Sequence, residues 1–150
     1  MTSPFKGLLL STMKRYEFIN HTADIGIKVR GKTLPELFVN AAYAMFDILL
    51  DIGQVEFRHS LRIKIPGGEI EDIFVDWLRE LLSRFNTEQW AFGEFDIHKI
   101  DKAGLEATCK GEKIDPERHR LKTEIKAVTY HGLKIQKNNN LWEVQVIFDI

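Results

Sequence analysis

Polar and apolar residues alternate through Ile25-Gly26-Ile27-Lys28-Val29-Arg30, which sets Ile25, Ile27 and Val29 on one face of a β-strand and leaves Asp24 at its mouth. The period then changes. Leu37, Phe38, Ala41, Ala42, Met45, Phe46 and Leu49 recur at helical spacing behind Thr33-Leu34-Pro35-Glu36, a capping box with proline in the first turn, and predict a helix from Leu34 to Leu50. In the run from Val55 to Ile65, the residues Leu61, Ile63 and Ile65 share a strand face until Pro66-Gly67-Gly68 ends it. A wide apolar stripe of Ile70, Ile73, Phe74, Trp77, Leu78, Leu81, Leu82 and Phe85 predicts a second helix from Glu69 to Phe85, with Asp72, Asp76, Arg79 and Glu80 largely off that stripe. Strand-like runs follow at Ala91 to Ile100, Leu105 to Lys110, Glu124 to Gln136 and Leu141 to Phe148, with turn chemistry at Asp101-Lys102-Ala103-Gly104 and Asn138-Asn139-Asn140.

The order strand, helix, strand, helix and then several strands lacks the strict alternation of a doubly wound sheet. It predicts an α+β fold, a single domain in which two helices cover one face of a mostly antiparallel or mixed β-sheet. The 150 residues suffice for one core, and no repeat or linker divides them. Residues 1–13 precede the first patterned segment and are expected to form a disordered N-terminal extension; their apolar run, Gly7 to Leu10, is too short for a secretory core or a membrane span.

Charge narrows the partners. Twenty-one basic against 22 acidic side chains leave a formal net charge of −1, which argues against a large phosphate-gripping surface and makes any role in RNA biology indirect. The single Cys109 excludes an intramolecular disulfide and fits a reducing compartment, so the cytoplasm is the expected location, with neither membrane nor DNA as a partner.

Asp24 and the C-terminal Asp149-Ile150 are the candidate ligands. In the last run Asp149 shares the more polar face with Glu143 and Gln145, and the main-chain carboxylate of Ile150 offers a third oxygen. An all-oxygen set suits Ca²⁺, Mg²⁺ or Mn²⁺ better than Zn²⁺. The competing reading is an Asp24 that caps a turn and a terminal Asp149 in solvent, since residues so far apart in sequence need not meet. The five histidines lack the close helical pairing of zinc hydrolases. His21 and His131 suit either a general acid–base role or structural hydrogen bonding, the pattern favouring the latter. The segment from Lys110 to Lys122 mixes both signs of charge and reads as a solvated loop, with protein contact as the sharper alternative. Trp77, Trp90 and Trp142 fall mainly on apolar stripes, as core residues do. Neither a phosphate-cradling glycine loop nor a Gly-x-Ser-x-Gly elbow is present.

Four ordered blocks carry a resemblance: His21-Thr22-Ala23-Asp24-Ile25-Gly26; Gly111-Glu112 followed by Asp115 and His119; Lys126-Ala127-Val128-Thr129-Tyr130-His131; and the terminal Asp149-Ile150. Over residues 14–150 the chain resembles the archease family. That resemblance implies a small, cytoplasmic, non-catalytic cofactor protein of an RtcB-type tRNA-splicing RNA ligase, one that promotes guanylylation of the ligase and multiple turnover and meets tRNA through the ligase. Carried over by position, it implies divalent-cation ligation by Asp24, Asp149 and the main chain of Ile150, calcium being the ion expected to be seen bound. A chaperone or adaptor for a tRNA-modifying enzyme such as a tRNA methyltransferase is the alternative.

Overall fold

A computed structural model describes residues 15–19 and 24–150. In chain order the elements are β1 (Tyr16–Ile19), β2 (Ile25–Gly31), α1 (Leu34–Leu49), a 3-10 turn (Ile52–Gln54), β3 (His59–Pro66), α2 (Ile70–Glu88), β4 (Trp90–Asp101), β5 (Gly104–Lys113), β6 (Ala127–Thr129), β7 (Gln136–Asn138) and β8 (Leu141–Asp149). They form an α+β fold with two antiparallel sheets, one ordered β1-β2-β8-β6 with β7 also on β8, the other β3-β5-β4.

The capping box works at the start of α1, where Thr33 Oγ1 accepts from the Glu36 N–H at 3.1 Å. The return bond reaches one residue further back than the motif requires, for Glu36 Oε1 accepts from the Lys32 N–H at 2.7 Å. Helix α2 runs on from its predicted end at Phe85 to Glu88 and stops where Gln89 turns left-handed at φ 63°. The added turn carries no apolar stripe, but Asn86 Nδ2 donates to the Ile125 carbonyl at 3.1 Å and gives it a tertiary anchor. Between β7 and β8 the paired Asn138 and Leu141 enclose Asn139 and Asn140, whose φ values of 51° and 66° are those of a type I′ hairpin turn.

Both helices bury their stripes against the inner faces of the two sheets. Trp77, Phe38, Phe46, Phe74 and Phe92 are fully buried there. The Trp77 indole donates to the Phe38 carbonyl at 3.0 Å, so its one polar atom is satisfied inside the core. Phe46 meets Phe85, Phe92 and Phe95 at centroid separations of 5.9, 5.7 and 5.8 Å and joins α1 to α2 and β4.

Three differences from the sequence pattern matter for the site. The sheet is divided in two, the apolar alternation of β2 and β8 forming one inner face and that of β3 and β5 the other. The run from Glu124 to Gln136 is two short strands, β6 and β7, separated by a turn in which Gly132 has φ 62° and the Leu133 N–H donates to the Tyr130 carbonyl at 3.0 Å. Strand β8 is therefore a spine, paired with β2 along one edge and with β6 and then β7 along the other. Finally, β1 is a four-residue edge strand too short for its alternation to register, recovered through its pairing with β2. The N-terminal extension expected over residues 1–13 lies outside the described residues.

Candidate functional site

Ile25 of β2 pairs with Phe148 of β8, and the antiparallel register runs from there to Gly31 opposite Trp142. Continued one step outward, the same register sets Asp24 level with Asp149, on the face away from the buried Ile27, Val29, Val146 and Phe148. On its other side Asp149 pairs with Ala127 of β6, and its carbonyl accepts from the Lys126 N–H at 2.7 Å. The two aspartates predicted as ligands thus come from neighbouring strand ends, with Ile150, 41% exposed, beside them. Gly26 is small for a reason at this end: a Cβ there would stand 2.6 Å from Ile19 Cγ1, because the β1 side chain lies across it.

His21, Thr22 and Ala23 of the opening block lie outside the described residues. His131 is exposed in the turn after β6, where its N–H donates to Thr129 Oγ1 at 3.3 Å. Among the described residues no group of three or more His, Cys, Asp or Glu side chains gathers to hold a metal. Binding through one oxygen each, Asp24, Asp149 and the main chain of Ile150 would supply three of the six to eight oxygens that a calcium ion takes, and such an ion would complete its shell with water or with a partner's groups. The donor chemistry fits a hard cation bound at an open, partly solvated position.

A second cluster escaped the sequence pattern. Glu112, at the end of β5, is one of only three buried polar or charged residues among those described, with Asn40 and His119. It accepts from Arg118 Nη2 at 2.7 Å, Arg58 Nε at 3.1 Å, His119 Nε2 at 2.8 Å and the Glu56 N–H at 2.9 Å. Burial alone would raise its pKa, but the bonds from Arg118, Glu56 and His119 outweigh that and hold the carboxyl down at about 2. The Asp115 N–H donates to His119 Nδ1 at 2.8 Å, which requires a lone pair on that nitrogen. The ring is then neutral, with its proton on Nε2 directed at Glu112. The mixed-charge segment expected to be a solvated or protein-contact loop therefore has a buried anchor at its centre. A Glu and a His seven residues apart in a charged run carry no periodic signal, and only the third dimension joins them.

From this anchor the chain from 114 to 126 forms a strap. The Lys122 and Thr123 N–H groups donate to the Leu49 and Ile48 carbonyls at 2.9 and 3.2 Å, and the Asp51 N–H donates to the Arg120 carbonyl at 2.8 Å. The strap then delivers Lys126 to Asp149, tying the Glu112–His119 anchor to the C-terminal end of β8.

Comparison with known proteins gives this geometry a family. The model of the Archease protein family (MTH1598/TM1083) matches residues 16–150. The chain belongs to the archease family. It is 39% identical to the archease of Methanosarcina acetivorans over 141 residues, covering 91% of this chain and 97% of that protein. It is likewise 39% identical to the archease of Pyrococcus abyssi over 143 residues, covering 92% and 100%. Among solved structures, protein 1598 of Methanobacterium thermoautotrophicum superposes with a TM-score of 0.78 at 37% identity, covering 92% of this chain and 100% of that one. An archease of Thermotoga maritima, described as a possible chaperone, gives 0.59 at 29% identity over 88% and 94%. The blocks that carried the archease resemblance fall along one continuous path: Glu112 and His119, the strap, Lys126 at the head of β6, and Asp149 beside Asp24. No helix among the described residues is long and apolar enough to cross a membrane.

Proposed function

We propose that the chain is a non-catalytic, divalent-cation-dependent activator of an RtcB-type tRNA-splicing RNA ligase, acting from the Asp24–Asp149 end. The observation that carries this reading is the register of β2 on β8, which brings two carboxylates distant in sequence to neighbouring strand ends. Family membership supplies the partner, through the archease resemblance alone.

Asp24, Asp149 and the main chain of Ile150 would hold the cation, calcium, magnesium or manganese by donor type. When bound, it supplies positive charge against phosphoryl oxygens, the charge that guanylyl transfer most needs neutralised. The protein's own contribution is positional. Edge-to-edge pairing with β2 and β6 fixes the end of β8, while the strap, anchored at Glu112 and bonded to the end of α1, leads into β6 through the Lys126 N–H bond to Asp149. A carboxylate pair on a rigid sheet end, Asp149 exposed and Asp24 half-buried, can be presented to a partner's site without unfolding anything.

On this reading turnover belongs to the ligase. The expected location is the cytoplasm, and contact with tRNA is through the ligase. The test is single-turnover guanylylation of the cognate ligase with and without this protein. Faster guanylylation and a gain in multiple-turnover ligation are expected; no change in either with the proper partner would refute the activator reading. The description of the Thermotoga maritima relative as a possible chaperone favours one second reading, an adaptor for a tRNA-modifying enzyme. That role predicts a gain in the client's solubility or yield without any effect on guanylylation.

A further inference from the structure

The outer face of the first sheet has a second feature in line with the aspartates. A cavity of about 370 Å³ opens there, its walls including Lys28 of β2, Gln145 of β8, and Gly132, Lys134 and Gln136 from the segment that crosses from β6 to β7. That volume lies within the range of small-molecule sites, roughly 300–1,000 Å³.

Its charges are unevenly settled. Glu143, the carboxylate in the wall, accepts from Arg30 Nε at 3.2 Å and from Asn138 Nδ2 at 3.1 Å, so both of its oxygens are engaged. The other arm of Arg30 bonds to Glu17. No ion pair within 4.0 Å joins Lys28 or Lys134 to a carboxylate of the described residues. The Asn138 bond is the main cause that holds the Glu143 carboxyl below its usual range, and Lys28 adds to it by charge alone, without an ion pair. Two ammonium groups with open hydrogen-bond donors therefore face one cavity beside the carboxamides of Gln136 and Gln145, which both donate and accept. Ammonium groups match phosphate oxygens, and carboxamides match hydroxyls. An apolar ligand would find little to bury against here, whereas a sugar phosphate finds a partner for each kind of polar group.

Position narrows the choice. Lys28 lies four residues from Asp24 along β2 and Gln145 four from Asp149 along β8, each pair on one face. At the rise of an extended strand the cavity is about 14 Å from the aspartate pair. We propose that this cavity binds a single ribonucleotide phosphate unit, Lys28 and Lys134 holding the phosphate and Gln136 and Gln145 the sugar hydroxyls. The choice of a nucleotide among sugar phosphates rests on the activator reading; the phosphate site itself does not. One such contact is compatible with a net charge of −1, which speaks only against a long RNA track.

The test is ¹H–¹⁵N spectroscopy of the full chain titrated separately with inorganic phosphate, ribose 5-phosphate, GMP and a pentaribonucleotide. Saturable shifts are expected at Lys28, Gly132, Lys134, Gln136 and Gln145, stronger binding to the sugar phosphates than to inorganic phosphate, and about tenfold weaker binding in a K28Q/K134Q variant whose spectrum is otherwise unchanged. Tighter binding of GMP than of the pentamer assigns the site to free nucleotide, and the reverse assigns it to a strand. The absence of saturable shifts with all four probes, or equal affinity in K28Q/K134Q, overturns the proposal. The measurement contains no ligase, so that result would leave the activator reading standing, and a failed guanylylation assay would leave the binding result intact.

Discussion

Glu112 and Asp149 are both carboxylates at the end of a long strand, and they live under opposite conditions. Glu112 is 3% exposed and accepts from two arginines, a neutral histidine and a backbone N–H. Asp149 is exposed, paired through its main chain with Ala127 of β6, and level with Asp24 where the β2–β8 register is continued one step outward. A buried acid survives only when its hydrogen-bonding capacity is met from inside, and an acid so met has little left to offer a ligand. Asp149 keeps its side chain in solvent, with the half-buried Asp24 beside it. In one chain, joined by a single strap, the acid that organises structure and the acids proposed as ligands differ in how far the surrounding protein encloses them.

The contrast is broken most directly at Glu112. Replacement by alanine leaves the Glu56 N–H and the buried His119 without their acceptor, while the solvent-accessible Arg118 and Arg58 turn to water, and is expected to cost about 1–3 kcal/mol in urea unfolding. Asp149→Ala is expected to change stability by less than about 0.5 kcal/mol in the same experiment. Equal losses in the two variants would erase the distinction.

A pH series sharpens it. The folded carboxyl of Glu112 is held at about 2 against an ordinary value of 4.5, so its contribution is complete above the ordinary value and is lost as pH falls through the folded one. Stability measured by denaturant midpoint should fall between roughly pH 5 and 2, and Glu112→Gln should flatten that fall. A wild-type and variant decline of equal steepness would place the acid sensitivity elsewhere. Smaller again is Thr33→Ala, which removes the side-chain cap of α1 and should cost about 1 kcal/mol in thermal unfolding, with no effect on cation binding. Extending the chain beyond Ile150 should have the least effect on stability, within about 0.5 kcal/mol, yet lower cation affinity in calorimetry if the terminal carboxylate is a donor.

Helix α1, the stripe of α2 and the β4–β5 and β7–β8 turns were legible because each is specified by neighbours in sequence: Thr33 and Glu36 across one helical turn, Asp101 Oδ1 on the Ala103 N–H, Asn139 and Asn140 at positive φ. Strand β1 and the division into two sheets were not, since both are decided by pairing between distant segments and leave no local period. The site divides the same way. Alternation put Asp24 at the mouth of β2 and Asp149 on the polar face of β8 and made both candidate ligands, but their adjacency belongs to the register between strands, which no local period carries. The Glu112–His119 anchor was hidden for a different reason. Its residues sit in a run of mixed charge whose composition reads as surface, and the bonds that bury it come from Glu56 and Arg58, more than fifty residues upstream.

The central claim is that the Asp24–Asp149 pair acts on the ligase while the buried anchor only supports it. The most direct test compares Asp24→Asn, Asp149→Asn and the double variant with the wild type in single-turnover guanylylation of the cognate ligase, with divalent cation varied and each variant's thermal unfolding measured alongside. The account predicts melting temperatures within a few degrees of wild type and loss of activation in all three variants. Full activation by a folded double variant would contradict it.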